Sequence, residues 1–431
     1  MGLLSGNKLI VGYELGNEYC QISYAFSADG AVETLSQVAG EEIYNIPTVL
    51  CKRFGVNQWY YGREAVRQAE EGQGILVENI WNLALDGELI VIDGESYDPI
   101  SLMALFFKRS MGLLSQVGTP EKLTAMMITC ASLNRRILEV LYRMVDGIHL
   151  KRDRVSFQSY MESYYNYMLR QPEELWVYMS ILFEYRENML KVYRLECNRH
   201  TTPIVVFIEP KEQRTFMEKI QSFRADGGEA ADGEKDKALD KAFLELAQVV
   251  CSDSRIRSVF LIGDGFGGDW MKDSLRYLCK GRRVFQGNNL FSKGACHSVQ
   301  EKMEVSDMGK THVFLGTDKL KANVGMEVLR RGESSYCALL DAGVNWYEAE
   351  QDVELYLQDG NEILLVVTPL IGKQVKTIRV VLENFPASIA RLRLHLYLEE
   401  EKRLAVEVED LGFGEFRLPS GRMWKEEVEI Y

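Results

Sequence analysis

Near residue 310 the chain changes character, and that change bounds the fold more tightly than any single motif. Before it, short β-rich runs alternate with stretches of helical spacing. After it come strand-like runs divided by turn signals: Val353 to Leu357, Ile363 to Val367, Ile378 to Leu382, Leu392 to Leu398 and Leu404 to Val408. Alternating elements followed by a run of strands predict an α/β unit joined to an all-β module. The 431 residues suffice for two to three domains with a substantial core.

Charge and composition exclude several classes. Lys and Arg number 50 and Asp and Glu 63, so the net charge is 50 − 63 = −13, and no long basic run offers a phosphate-binding surface. Nucleic acid is therefore not the expected partner. With 46% hydrophobic and 26% charged residues, the chain is neither mainly disordered nor a coiled coil. Apolar runs such as Leu102 to Phe107 are far too short to span a membrane, and no charged start followed by an apolar stretch marks a leader. Met1 to Gly6 approaches a myristoylation start but has Gly at position 6. The eight cysteines form no CxxC pair, and Cys296-His297 are adjacent, a poor spacing for two ligands of one metal. The expectation is a cytoplasmic protein with reduced cysteines, no metal and no membrane partner.

Individual elements are legible. Lys8 to Tyr13 and Tyr19 to Phe26 predict two strands around a Gly16-Asn17 turn. Residues 63–71 and 98–116 carry helical spacing, the second opened by Asp98-Pro99 as cap and first turn. Leu123 to Thr129 and Ile204 to Ile208 predict strands, and Leu133 to Val145 and Tyr160 to Leu169 helices. Trp176 to Phe183 with Met189 to Glu196 predict a hairpin. Residues 224–237 read as a mobile, charged, Gly-rich loop before a helix from Ala238 to Val250. The Tyr160, Tyr164 and Tyr167 stripe reads as a helix packing face, Glu399 to Arg403 as a solvated hairpin tip, and Phe413 to Phe416 as a turn with two aromatic anchors.

Two segments point to chemistry. Ser258 to Ile262 followed by Gly263-Asp-Gly265-Phe266-Gly-Gly268 and a helix from Trp270 to Cys279 is a strand, a Gly-rich turn and a helix start. Glycines there let an anion approach the backbone, and the helix dipole favours negative charge. The turn satisfies G-x-G-x-x-G, but no acidic residue follows about 20 residues later, as a dinucleotide fold requires. A tight turn without a ligand is the plainer reading. The other segment is Val11 to Tyr19, a hairpin with Glu14 inside its first strand. Glu14 reads either as a solvated strand-end carboxylate or as a group that positions hydrated Mg²⁺.

The order of these segments resembles the DnaK family of seventy-kilodalton heat-shock chaperones, within the actin-like ATPases. Gly12 to Tyr19 is similar to that family's first phosphate loop, Ile46-Pro47-Thr48-Val49 to the strand after it, and Tyr61 to Ala65 to its Val-Gly-x-x-Ala segment. Tyr97-Asp98-Pro99, Leu123 to Ala131, Ser258 to Gly268 as an adenosine loop, and Lys293-Gly294-Ala295 follow in the family's order. Val324 to Val406 resembles its β-sandwich peptide-binding domain. The resemblance implies an actin-like fold of two ribonuclease-H-like lobes over residues 1–312 and a β-sandwich over 318–431 without a helical lid.

The departures bear on activity. Where the family's first loop has Asp and two Thr hydroxyls, this chain has Glu14, Asn17 and Glu18. Its second phosphate loop, Asp-Leu-Gly-Gly-Gly-Thr, corresponds to Glu184-Tyr185-Arg186-Glu187-Asn188-Met189, with all three glycines gone. The catalytic lysine has no match near Glu78 to Leu83, where Asn79 and Asn82 are the nearest polar residues, and Thr317 to Asn323 forms a charged linker. Since phosphoryl transfer depends on positioning and electrostatics, these losses imply a pseudo-ATPase that binds a protein or peptide partner, with no catalytic residue assigned. ATP or ADP, if held at all, is held weakly, by Glu14, Gly16 and Asn17, by Gly263, Gly265 and Phe266, and by Gly294. A divergent active ATPase, with Glu14 on a metal and Glu184 or Glu187 supplying carboxylate chemistry, is the alternative, and a small-molecule kinase of the same superfamily is a third.

Overall fold

The computed structural model describes residues 9–38, 40–118, 123–148, 150–186, 189–214, 216–218, 232–287, 289–370, 374–385 and 389–430. They fall into two compact units, Met1–Phe314 and Leu315–Tyr431.

The first unit opens with β1 (Leu9–Leu15), β2 (Tyr19–Ala25), β3 (Glu33–Thr34) and β4 (Ile46–Pro47). A small sheet of β5 (Leu50–Arg53), β6 (Trp59–Tyr61) and β7 (Gly74–Val77) follows, with α1 (Gly62–Glu70) and α2 (Ile80–Asp86). A hairpin of β8 (Ile90–Ile92) and β9 (Glu95–Tyr97) leads into α3 (Pro99–Met111). The Asp98 carboxylate accepts from Ser101 N–H and Pro99 sits in the first turn, so α3 starts where its capping residues predict. Then come β10 (Leu123–Cys130), α4 (Arg135–Gly147), β11 (Val155–Ser159) and α5 (Tyr160–Leu169).

The second half of this unit contains β12 (Met179–Arg186), β13 (Met189–Asn198), β14 (Ile204–Glu212), α6 (Asp232–Val250), β15 (Ile256–Ile262), α7 (Asp273–Leu278), β16 (Arg283–Gln286), α8 (Leu290–Met303), α9 (Asp307–Thr311) and β17 (His312–Phe314). The helix expected from Ala238 therefore begins by Asp232. The rest of the segment read as mobile, 224–231, lies outside the described residues.

The two halves repeat one topology. The first sheet runs β11-β10-β1-β2-β3 and the second β16-β15-β12-β13-β14, extended by β17. In each, the first strand pairs antiparallel with the second and parallel with the fourth, and the fifth adds parallel to the fourth. The repeat is one of connectivity rather than of short sequence period.

Helices α5, α6 and α8 pack against these sheets. Helix α8 crosses β1, where a Cβ on Gly12 would lie 2.2 Å from Ser292 O, and meets α5 where a Cβ on Gly294 would lie 2.0 Å from Ser163 O. Tyr160 and Tyr164 of α5 are buried as their spacing predicts, and Tyr167 is partly buried: Tyr160 stacks on Phe291 and Tyr164 donates to Ser180. Helix α6 covers the far face of the second sheet through Phe243, against Phe183 and Trp270.

The second unit is a sandwich of two antiparallel sheets. One is β19-β18-β21-β22, from β18 (Ala322–Arg330), β19 (Glu333–Leu340), β21 (Glu362–Pro369) and β22 (Lys376–Val381). The other is β20-β23-β24-β25, from β20 (Glu350–Leu357), β23 (Ala390–Glu400), β24 (Arg403–Asp410) and β25 (Met423–Glu429). Along β23 buried Leu392, Leu394, Leu396 and Leu398 alternate with Arg391, Arg393 and His395, the period-two signature of a half-buried strand.

Two expectations are corrected here. The stretch read as a linker is folded: Leu320 and Ala322 are core residues, and Leu320 N–H donates to Val344 O. Phe416 is no anchor, being 90% exposed, although Phe413 packs on Tyr356.

Candidate functional site: a cleft closed by an arginine

The carboxyl ends of β1 and β12 bring two carboxylates together. Glu14, next to last in β1, is fully buried, and Glu184 in β12 is nearly so. The solvated reading of Glu14 is thus overturned: the strand is sandwiched between α3 and α8, so a side chain on either face is enclosed. In α/β sheets the ends of the parallel strands are where ligands usually sit.

Here a side chain of the protein sits there. Arg186 follows Glu184 by two residues, so both project from one face of β12. Arg186 Nη1 donates to Glu14 Oε1 at 2.6 Å, and Nε lies 3.1 Å from Glu184 Oε1. The guanidinium lies 4.7 Å from the Tyr19 ring centre, with Phe291 and Tyr160 beside it. Tyr193 donates to Glu184 at 2.7 Å. Burial pushes the Glu14 carboxyl upward, against the pull of Arg186. Burial also works against the charge on Arg186, yet Glu14, Tyr19 and Glu184 hold its guanidinium well above its ordinary value. An arginine cannot shed its proton in a protein, so a fixed positive charge lies between the two carboxyl groups.

The same alternation explains the Gly-rich turn. Tyr185 points to the opposite face of β12 and packs on Phe216 and Phe266. A Cβ on Gly265 would meet the Tyr185 ring at 2.3 Å. One on Gly263, whose φ is +99°, would meet Tyr185 O at 2.3 Å. Phe266 is buried in that core. These three residues therefore face the β12 strand, while Gly294 sits at the α5–α8 crossing.

The first turn lies elsewhere in the cleft. Gly16 N–H donates to Tyr19 O, and Asn17 donates to Asn79 Oδ1 at 2.7 Å. Asn79 adopts a left-handed conformation, with φ of +55°. At the mouth Asn45 donates to Asp264 at 3.0 Å, a second tie between the two halves.

Beside Arg186 a cavity of about 190 Å³ is lined by Gly16, Asn17, Glu18, Tyr19, Trp81, Asn82, Tyr160, Glu184, Arg186, Met189 and Lys191, among others. The structure thus brings Gly16 and Asn17 to one wall and keeps Gly263, Gly265, Phe266 and Gly294 off it. Sequence reasoning missed Arg186 and Lys191. Arg186 was legible as a lost glycine, and its charge two residues from Glu184 was the available signal. Lys191 is the register partner of Glu184 across the hairpin, which a strand-pairing argument could have found. Glu187 lies outside the described residues. Among the described residues no group of three His, Cys, Asp or Glu is placed to hold a metal, and no helix is long and apolar enough to cross a membrane.

Residues 31–317 match the C-terminal model of a family of unknown function, DUF5716. The chain belongs to the DUF5716 family. Arg186 and Lys191 fall inside the matched span of that family, and Glu14 and Tyr19 precede it. Residues 319–430, essentially the sandwich, match a domain of unknown function, DUF8552. No curated protein matches the chain.

The sandwich carries a separate groove of about 830 Å³ along the ends of β18, β20 and β21. Met326, Val328, Leu329, Leu355, Tyr356 and Leu364 supply its apolar surface, and Leu329 and Tyr356 are more than half exposed. Strand β20 is an edge of its sheet, so one side of its backbone is unpaired.

Proposed function

We propose that the first unit is an actin-like scaffold that no longer turns over ATP, and that the chain works by binding an extended peptide segment on its sandwich. The observation that carries the first part is the Arg186 guanidinium bridging Glu14 and Glu184. In the resemblance to DnaK-type chaperones, that position belongs to a glycine facing phosphate. A carboxylate already satisfied by an internal cation is a poor Mg²⁺ ligand, and the divergent-ATPase alternative needs Glu14 free for a metal. The repeated sheet connectivity supports the actin-like reading.

Support for the second part is the groove at the open β20 edge. An extended segment gains backbone hydrogen bonds from such an edge and places alternate side chains in the groove. The groove lining includes Glu327, Glu354, Asp359 and Glu362 with Arg330, although Glu354 also pairs with Arg391 and Arg393 and Glu362 with Arg379. Residues 315–431 carry 14 Lys and Arg against 21 Asp and Glu, a net of 14 − 21 = −7. The occupant is accordingly an apolar segment flanked by Lys or Arg.

Purified full-length protein is assayed for Mg²⁺-dependent ATP hydrolysis and for capture of immobilised peptides of graded charge. The expected result is no turnover above buffer, with capture of basic-flanked apolar peptides that Tyr356→Ser weakens. Sustained ATP hydrolysis lost in Glu14→Gln would overturn the first part. Equal capture of acidic-flanked peptides would overturn the second.

A further inference from the structure

The cavity beside Arg186 has unused hydrogen-bonding capacity. Arg186 Nη2 and Tyr19 Oη are buried, and neither has a hydrogen-bond partner among the described residues. Leaving such groups dry is costly, so a site that keeps them is one whose partner comes from outside the chain.

Charge decides what kind of partner. Glu18 and Glu184 in the wall and Glu14 behind Arg186 are three carboxyl groups, the last pushed upward by burial, against Arg186 and Lys191 as two cations, so carboxyl groups outnumber cations. A polyphosphate would add several negative charges to a site already in deficit. A ligand without net charge adds none, and one that carries both signs can use both sets of groups.

Size narrows the class. At about 30 Å³ per water, roughly six waters fill the 190 Å³ cavity, well under the 300–1,000 Å³ usual for cofactor-sized sites. A nucleotide would have to project out of that space, whereas a free amino acid can sit within it. Trp81, Tyr160 and Met189 form the apolar side against which a small side chain can pack.

We propose that this cavity binds a small zwitterion of amino-acid size, with its carboxylate on Arg186 Nη2 and Tyr19 Oη and its ammonium toward Glu184 and Glu18. The proposal goes beyond the loss of ATP turnover and does not involve the sandwich. It makes the first unit a sensor domain for a small metabolite, read out through the Glu14–Arg186 tie between its halves.

The test is calorimetric titration of the full chain with each proteinogenic amino acid, then with the deaminated acid and the decarboxylated amine of any that binds. The expected result is saturable heat with at least one amino acid and little with either derivative. Tyr19→Phe removes a buried hydroxyl with no internal partner, so it should leave the thermal midpoint of the free protein unchanged or raise it while weakening binding about tenfold. Silence with every amino acid would overturn the proposal. So would a derivative that binds as tightly as the zwitterion, or affinity unmoved by Tyr19→Phe. Mg-ATP is titrated as a separate arm, and binding that competes with the amino acid would overturn the proposal, whereas hydrolysis alone would bear only on the loss of turnover.

Discussion

Arg186 Nη1 lies 2.6 Å from Glu14 Oε1, joining residues 172 positions apart and tying the first strand of one sheet to the first strand of the other. The bond sits in low dielectric, so each partner is costly to leave alone. Arg186→Met strands Glu14 and Glu184 together, and the expected loss is about 3–5 kcal/mol, seen as a lower urea midpoint. Adding Glu14→Gln should recover part of that loss. A single Arg186→Met variant as stable as the parent would show that the pair contributes nothing.

The glycines of the Gly-rich turn and of α8 act through packing. Gly294→Ala places a methyl 2.0 Å from Ser163 O, and Gly263→Ala adds a clash to a φ of +99°. Each should destabilise by at least about 1–3 kcal/mol. Gly268→Ala, with nothing within 4 Å of its Cβ, carries only the cost of its positive φ. Thermal unfolding of the three variants ranks them; a Gly268 variant as damaged as Gly294→Ala would contradict the packing account.

Acid sensitivity should begin above the carboxylate range. Burial lowers His297 to about 4, with Arg170 and Lys293 adding to the effect against Gln300 and Glu301. The unfolded chain then binds protons more readily than the folded one between pH 6.5 and 4. Stability is therefore full above pH 6.5 and falls by about 3 kcal/mol by pH 4. Burial lowers His312 as well, with the same sign. His297→Gln should flatten most of this slope in melts recorded from pH 7 to 4. An unchanged slope would place the titration elsewhere.

In the sandwich, buried Asp410 receives Arg417 together with Gly412 and Ser420 N–H. Burial opposes its charge, but Arg417 and these donors hold its carboxyl well below the ordinary range. Asp410→Ala should cost about 3 kcal/mol and loosen the loop that presents Phe416. Phe416→Ser, at an exposed tip, should stay within about 0.5 kcal/mol of the parent. Circular dichroism melts separate the two; equal damage from both would mean that the loop, not the ion pair, supports the fold.

Much of this was readable in one dimension. Alternation along β23, the Asp98-Pro99 start of α3 and the exact span of α5 follow from local side-chain periods and caps, which are properties of neighbours in sequence. The eroded second phosphate loop was equally plain, since a missing glycine is visible without coordinates. What fills the gap was not. That Arg186 turns inward to Glu14, that Gly265 is small for the sake of Tyr185, and that Glu14 is enclosed depend on two sheets meeting, and no local spacing encodes a contact between strands so far apart. Chain chemistry settled which groups were available; tertiary packing settled which of them lost water and therefore had to find each other.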